Sequence, residues 1–238
     1  MPSGKDGTLV NEGTTVRFDF GKIASRYDTW YQTPRGTMYD RLEKRAIDSL
    51  LPAASDGGKL LEIGCGTGHF SEHFASKGFE VTGVDISEPM VAVARQQNIR
   101  SGEFHVGDAE RLPFTDGTFD VVAAITVLEF VCDPVSVVSE MVRCVKQPGG
   151  ALILGVLNRL STYNQTRKHR VGSMYASANL FSPNDLMDLL RPSGALTIRV
   201  AGFVPRRYAF IWLSPLFEWI GRLTGSQHGA FVAAKVKL

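Results

Sequence analysis

Residues 60–68 read Leu-Leu-Glu-Ile-Gly-Cys-Gly-Thr-Gly, and this stretch decides the fold. An apolar run that meets an acid and then alternating glycines is typical of a buried strand that ends in a tight turn before a helix. The spacing G-x-G-x-G differs from the G-x-G-x-x-G of dinucleotide sites, which bind a pyrophosphate at a helix N-terminus. On this motif alone, a tight turn that binds no ligand remains the alternative.

Glu62, two residues before the first glycine, indicates the charge of the ligand. A carboxylate at this position would repel a pyrophosphate and favour a cation, so we expect a positively charged nucleoside. Here the sequence resembles the class I S-adenosylmethionine-dependent methyltransferases, in particular their small-molecule branch (methyltransferase type 11, ubiquinone-menaquinone-biosynthesis-like). That resemblance implies S-adenosylmethionine as the cofactor, bound in this segment by Glu62, Gly64, Cys65, Gly66 and Gly68, with Gly64 and Gly66 contacting the methionine part through their backbone.

Strand and helix patterns alternate from Lys59 onward, which favours a mostly parallel sheet with helices on both faces. The predicted fold class is α/β, a Rossmann-like doubly wound sheet of seven strands whose last strand is antiparallel. We expect a flexible N-terminus over residues 1–15 and one domain over residues 16–238. Lid insertions are expected at about residues 158–180 and 204–228, and the resemblance covers residues 16–157 well.

The second strand, Glu80–Asp85, ends in an acid about 20 residues beyond the glycine turn, where Rossmann-like sites bind ribose hydroxyls. A carboxylate can accept hydrogen bonds from both hydroxyls, so we assign Asp85 to the ribose. The alternative is that Asp85 caps the helix that follows, a role it would share with Ser87. Ile86 is expected to lie against one face of the adenine.

Residues 107–114 read Gly-Asp-Ala-Glu-Arg-Leu-Pro-Phe, a string that is specific to the resembling branch. The resemblance implies that Asp108, followed by the small residue Ala109, receives the adenine amino group. A carboxylate is a charge-assisted acceptor for that donor. A surface turn without a ligand is the alternative.

Two further residues complete the predicted cofactor site. Thr126 follows a continuous apolar strand and therefore lies at the carboxyl edge of the sheet, where open α/β sheets bind ligands. Tyr27 belongs to a Y-D-x-W-Y string that looks like the segment preceding the core in many small-molecule methyltransferases. Its aromatic residues either close over the cofactor or only attach an N-terminal helix to the core.

Methyl transfer from a sulfonium requires few catalytic side chains, because the donor is already activated and the protein must mainly position the nucleophile. Many relatives have histidine after the Leu-Glu pair at 128–129, whereas this chain has Phe130. Weak candidates for a general base are Glu129, Tyr163 and His169. His69 and His73 lack an H-E-x-x-H pattern, so we expect no metal site and exposed or capping histidines.

The overall composition limits the partners. The 238 residues carry a net charge of +2, which is too small to indicate a nucleic-acid partner, so we expect a small-molecule acceptor and no specific nucleic acid. Three cysteines without metal-ligand spacing and an N-terminus without an apolar signal core favour a cytoplasmic protein. The oligomeric state stays open.

The two insertions indicate the acceptor. The first contains Arg167-Lys168-His169-Arg170, which is either a solvated surface or an anion-binding lid. The second contains the apolar segment 208–220, too short to span a bilayer, in which we expect Phe210, Trp212, Phe217 and Trp219 to form a wall over the acceptor. Contact of this segment with a membrane is the lesser alternative.

The sequence therefore predicts an S-adenosylmethionine-dependent methyltransferase that acts on a small, partly apolar acceptor, which is anionic if the first insertion is an anion-binding lid. Two alternatives stay open. A non-catalytic relative that binds S-adenosylmethionine as a regulator or partner would have the same sequence pattern through residue 157. An NAD-dependent dehydrogenase would share Asp85, but Glu62 and the glycine spacing count against it.

Overall fold

The computed structural model describes residues 9–12, 15–18, 20–204 and 212–238. A 3₁₀ helix covers Phe20–Trp30, and a short 3₁₀ turn covers Arg191–Ser193. The strands are β1 (Leu9–Glu12), β2 (Thr15–Phe18), β3 (Lys59–Ile63), β4 (Glu80–Asp85), β5 (Gly102–Val106), β6 (Val121–Ile125), β7 (Ala151–Leu157), β8 (Ala195–Ala201) and β9 (Phe231–Lys237). The α-helices are α1 (Pro34–Asp48), α2 (His69–Ser76), α3 (Glu88–Gln96), α4 (Pro134–Cys144), α5 (Thr162–Lys168), α6 (Pro183–Leu190) and α7 (Ser214–Leu223).

Seven strands form the central sheet in the order β5-β4-β3-β6-β7-β9-β8. Every pairing from β5 to β7 is parallel, whereas β9 lies antiparallel between β7 and β8. The predicted seven-stranded, mostly parallel sheet with an antiparallel last strand is thus confirmed. The strand order reverses between β3 and β6, and the crevice at such a point is where open α/β sheets bind ligands.

Both faces of the sheet are covered, because strand residues alternate between two apolar clusters. Leu61 packs with α4 and α6 residues such as Met141 and Leu186 on one face. Its neighbour Leu60 packs with α1 and α2 residues such as Ile47 and Phe74 on the other. This arrangement confirms the helices predicted on both faces and holds the strand ends rigidly in register.

Helix α2 begins directly after the glycine turn and is attached to α1 by two histidine–carboxylate pairs. His69 Nε2 lies 2.6 Å from Asp40 Oδ1, and His73 Nε2 lies 2.7 Å from Asp48 Oδ1. The expectation that these histidines are exposed or capping was wrong, because both are partly buried between the helices. They fix α2, and with it the turn, against α1.

The N-terminal segment packs beside the glycine turn. The segment expected to be flexible contains β1, which pairs antiparallel with β2, a hairpin that the sequence analysis did not predict because each strand has only four residues. The helical stretch predicted around Tyr27 is the 3₁₀ helix, and Asp28 Oδ1 in it accepts a hydrogen bond from Thr67 Oγ1 at 2.7 Å. This bond ties the N-terminal helix to the turn.

The second insertion differs from the predicted aromatic wall. In α7 the buried carboxylate of Glu218 accepts hydrogen bonds from the backbone N–H groups of Gly202 and Phe203, both at 3.0 Å, which fixes the orientation of the helix. Trp212 and Trp219 are then 72% and 61% exposed, so their assignment to a wall over the acceptor was wrong. Phe210 and the segment 205–211 lie outside the described residues. None of the helices within the described ranges is both long and apolar enough to cross a bilayer.

Candidate functional site

A cavity of about 410 Å³ opens at the carboxyl ends of β3, β4 and β6, where the strand order reverses. Its size is in the range of small-molecule sites. We call it the donor cavity, and most of the predicted cofactor residues line it: Tyr27, Gly64, Gly66, Asp85, Ile86, Asp108, Ala109 and Thr126.

The glycine turn brings backbone into the wall of the donor cavity. Gly64 has φ +68°, and a Cβ there would lie 2.3 Å from Val127 Cγ2, so only glycine fits. Gly66 has φ +53°, and a Cβ built on it meets no atom within 4 Å. A side chain at Gly66 would therefore enter the cavity itself, which is the space that a bound ligand would need.

Asp85 connects this turn to β4. Its Oδ2 accepts a hydrogen bond from Gly66 N and its Oδ1 accepts one from Ser87 N, both at 2.9 Å. Burial raises the pKa of Asp85, and the two backbone N–H groups oppose that rise. Ser87 occupies the N-cap position of helix α3, but its side chain makes no capping hydrogen bond. The capping alternative for Asp85 is not what the structure shows, and both carboxylate oxygens remain next to the cavity.

The opposite side of the cavity carries the predicted adenine residues. Asp108 Oδ1 accepts a hydrogen bond from Glu110 N at 2.9 Å, which orients the carboxylate. Ile86 also lines the cavity, although 60% of its surface is exposed. Ser87 Oγ is buried there without a hydrogen-bond partner in the described part of the chain. Such an unsatisfied hydroxyl fits a cavity that a polar ligand completes.

Three predicted cofactor residues lie outside the cavity wall. Glu62 is buried behind the turn and accepts a hydrogen bond from Ser71 Oγ in α2. Burial raises its pKa to about 8, so the expected electrostatic contact with a cation is weakened. Cys65 packs in an apolar cluster with Val91 and Phe104, and Gly68 serves as the N-cap of α2 at φ +89°. These residues shape the turn instead of lining the site.

A small chamber of about 40 Å³ adjoins the donor cavity. The two share four lining residues, Phe20, Tyr27, Thr126 and Phe130. Thr126 has φ +54°, an unusual backbone conformation for a β-branched residue, and such conformations cluster at functional sites. Phe130, which stands where many relatives have histidine, packs edge-on against Phe20 with ring centroids 5.0 Å apart. The wall between cavity and chamber is therefore mainly aromatic.

The chamber contains two ionisable residues that the sequence analysis did not place together. Arg167 from α5 stacks over the ring of Tyr175 with its guanidinium carbon 3.8 Å from the centroid. Glu43 from α1 lines the same chamber, and burial raises its pKa to about 8. Arg167 was predicted only as one of four basic residues, and no sequence signal marks Glu43, because a lone glutamate in an amphipathic helix is usually solvated.

Beyond the chamber lies an outer cavity of about 700 Å³, and the two share Trp30, Tyr39, Arg167 and Tyr175. Tyr163 lines this outer cavity, stacked on Tyr39 at 4.7 Å between ring centroids. Phe217 is the member of the predicted aromatic wall that reaches it.

The three weak candidates for a general base have different positions. Tyr163 faces the outer cavity, and burial raises its pKa further from neutrality. His169 is exposed at the C-terminal end of α5 and lines none of the three cavities. Glu129 is buried, with Oε1 accepting from Leu157 N and Oε2 without a partner in the described ranges. Burial raises the pKa of Glu129 to about 7, although it lines none of the three cavities.

Comparisons with known proteins agree with this geometry. A methyltransferase domain family matches residues 61–154. A protein of Methanocaldococcus jannaschii is 32% identical over 182 residues, which are 76% of this chain and 82% of that protein. The ubiquinone biosynthesis O-methyltransferase of Pseudomonas aeruginosa is 43% identical over 107 residues, 43% of this chain and 46% of the enzyme, so this chain spans less than half of that relative.

The structural comparison extends over nearly the whole chain. A Thermotoga maritima protein, described as an S-adenosylmethionine-dependent methyltransferase and possible histamine N-methyltransferase, superposes with a TM-score of 0.71 at 29% identity. The match covers 92% of this chain and 97% of the other. With the glycine turn, the acid at the end of β4 and the cavity at the sheet switch point, these matches show that the chain belongs to the class I S-adenosylmethionine-dependent methyltransferase family.

Proposed function

We propose that this protein transfers the methyl group of S-adenosylmethionine to a small, partly apolar acceptor. The observation that carries the proposal is the continuity of three spaces. The donor cavity adjoins the chamber through Phe20, Tyr27, Thr126 and Phe130, and the chamber leads into the outer cavity. A donor in the first space and an acceptor that enters through the third would meet at the chamber.

The donor cavity has groups for each part of the cofactor. We assign the ribose hydroxyls to Asp85, whose oxygens keep acceptor capacity beside their backbone hydrogen bonds. The adenine amino group is assigned to Asp108 next to Ala109, and the methionine part to the backbone of Gly64 and Gly66. Glu62 holds the turn against α2 through Ser71 and does not itself contact the cofactor.

S-adenosylmethionine, when bound, supplies an activated methyl group on a sulfonium. The chain's own residues then need to hold the acceptor in line and exclude water. Phe20, Tyr27 and Phe130 provide an apolar boundary at the chamber for this purpose. If the nucleophile has to lose a proton, Glu43 is a carboxylate of the chamber wall, and because burial raises its pKa to about 8 it would accept a proton only as the pH rises toward that value.

The acceptor is small on this proposal because the chamber is narrow and is enclosed by side chains of the N-terminal helix, α1 and the first insertion. The net charge of +2 offers no basis for specific nucleic-acid binding. One relative is named for O-methylation in ubiquinone biosynthesis and another as a possible histamine N-methyltransferase. These names differ in the methylated atom, so they support a small acceptor without selecting oxygen or nitrogen.

The test is to incubate the protein with methyl-labelled S-adenosylmethionine and a fractionated cell extract. Label is expected in the small-molecule fraction with the wild type and not with Asp85→Ala. Label mainly in RNA, DNA or protein would contradict the small acceptor. Saturable binding of S-adenosylmethionine with no label transferred to any fraction would favour the non-catalytic alternative.

A further inference from the structure

Arg167 is a partly buried cation that forms no ion pair in the described part of the chain. In the described ranges no carboxylate oxygen lies within 4 Å of its guanidinium, and its hydrogen bond to Asn164 Oδ1 is long at 3.4 Å. Arg167 Nε is buried and has no hydrogen-bond partner there. A buried N–H without a hydrogen-bond partner is a donor that a bound ligand can satisfy.

Aromatic rings hold this guanidinium in place. Its carbon lies 3.8 Å from the ring centroid of Tyr175, 5.1 Å from that of Tyr163 and 5.9 Å from that of Trp30. Rings within about 6 Å attract a cation through their faces, and stacking leaves the N–H edge of an arginine available. The aromatic residues around the chamber would otherwise suit a cationic ligand, but Arg167 already occupies that position.

The position of Arg167 places it between donor and acceptor spaces. It lines both the chamber, which adjoins the donor cavity through Thr126 and Phe130, and the outer cavity. Of the other basic residues of its segment, Arg170 lines the outer cavity but not the chamber. Lys168 Nζ donates to the backbone oxygen of Ala178 at 2.6 Å, and His169 is exposed.

We infer that Arg167 binds an anionic oxygen group of the methyl acceptor, a carboxylate or a phosphate, and that the acceptor is a small anion. This inference rests on the proposed function. A planar guanidinium can donate two parallel hydrogen bonds to either group. The neighbouring Glu43 supports the assignment, because burial raises its pKa to about 8 and it is mostly neutral at pH 7, so it does not repel an incoming anion.

The test uses the full chain loaded with S-adenosylhomocysteine, whose binding is measured first by calorimetry. Four probes that share one ring are then titrated: benzoate, phenyl phosphate, benzamide and benzylamine. We expect saturable binding of benzoate or phenyl phosphate, and binding of the neutral and cationic probes weaker by about tenfold or more. Benzoate alone would identify the group as a carboxylate, and phenyl phosphate alone would identify it as a phosphate.

The variants are Arg167→Met, Arg167→Lys and, as control, Arg191→Met, which removes an exposed arginine outside the three cavities. Arg167→Met should weaken anion binding about tenfold or more with S-adenosylhomocysteine binding unchanged, and Arg167→Lys should fall between it and the wild type. Preference for benzylamine, unchanged anion binding in Arg167→Met, or no saturable anion binding by the loaded wild type would overturn the inference. Failure of the proposed function would be distinguishable, because it would show as absent cofactor binding or methyl transfer.

Discussion

The carboxylate of Asp85 accepts a hydrogen bond from the backbone N–H of Gly66 at 2.9 Å, across the gap between the end of β4 and the glycine turn. A hydrogen bond therefore links Asp85, which we assign to the ribose, to the turn that we assign to the methionine part. A change at either residue is expected to affect the position of the other, so mutations here need controls that separate binding from folding.

Asp85→Ala should weaken binding of S-adenosylmethionine by roughly 2 to 4 kcal/mol, because two charge-assisted hydrogen bonds to the ribose are lost while the hydroxyls stay buried. Calorimetry on the folded variant measures the change. Asp56→Ala, in an exposed loop, serves as the control and should bind as the wild type does. Unchanged affinity in folded Asp85→Ala would remove the ribose assignment.

Gly66→Ala tests whether donor binding requires a residue without a side chain at this position. Gly66 and Gly117 both have positive φ, +53° and +62°, and in both a Cβ meets no atom within 4 Å. Alanine at either position should cost about 1 kcal/mol of folding free energy through its backbone conformation. Only Gly66→Ala should also reduce donor affinity, because Gly66 lines the donor cavity and Gly117 does not. Equal affinities for the two variants would contradict this.

Asp108→Asn should weaken donor binding less than Asp85→Ala, since an amide oxygen still accepts from the adenine amino group but without charge assistance. The informative comparison is with an analogue of S-adenosylhomocysteine that lacks this amino group. Its affinity should hardly differ between wild type and variant. The assignment of Asp108 to the amino group fails if the variant loses equal affinity for both ligands.

Strand bounds and strand ends that depend on local sequence patterns were predicted from the sequence. The bounds of β4, Glu80–Asp85, match the prediction, because its apolar run ends in a clear stop signal. The ends of β3 and β4 also placed Gly66 and Asp85 correctly beside one cavity.

The acceptor side was predicted less well, since it depends on contacts between distant segments. Glu43 and Arg167 lie far apart in the sequence, and only the packing of α5 against α1 brings them to one chamber. Trp212 and Trp219 were assigned to a wall from composition alone. The hydrogen bonds of the buried Glu218 carboxylate fix the orientation of α7, and no pattern in the sequence indicates them.

Glu62→Gln should change how stability depends on pH. Burial raises the pKa of Glu62 to about 8, whereas an unfolded glutamate titrates near 4.3. Between these values the folded protein keeps a proton that the unfolded chain releases, so the free energy of unfolding falls as pH rises, by at most about 1.4 kcal/mol per pH unit. Urea unfolding from pH 6 to 8 should show a smaller loss in Glu62→Gln than in the wild type.

The other buried acids do not obscure this comparison. Glu43 and Glu129 also have raised pKa values and contribute with the same sign, but they are present in both proteins and cancel in the difference. Glu80→Gln, at an exposed position in β4, should follow the wild-type curve. Parallel curves for wild type and Glu62→Gln would show that Glu62 titrates normally in the folded protein.

Arg167→Met should leave the free energy of unfolding unchanged or raise it by about 1 kcal/mol, because it replaces a partly buried charge that forms no ion pair in the described ranges by an apolar side chain of similar length. The lost stacking on Tyr175 opposes this gain by about 0.5 to 2 kcal/mol. Arg143→Met is the contrasting variant, since Arg143 bonds Glu140, Asp116 and two backbone oxygens, and its loss should cost about 1 to 3 kcal/mol. A residue retained for binding weakens function when removed without weakening the fold. Chemical denaturation decides the matter: if Arg167→Met loses as much stability as Arg143→Met, Arg167 supports the fold and is not kept there for the acceptor.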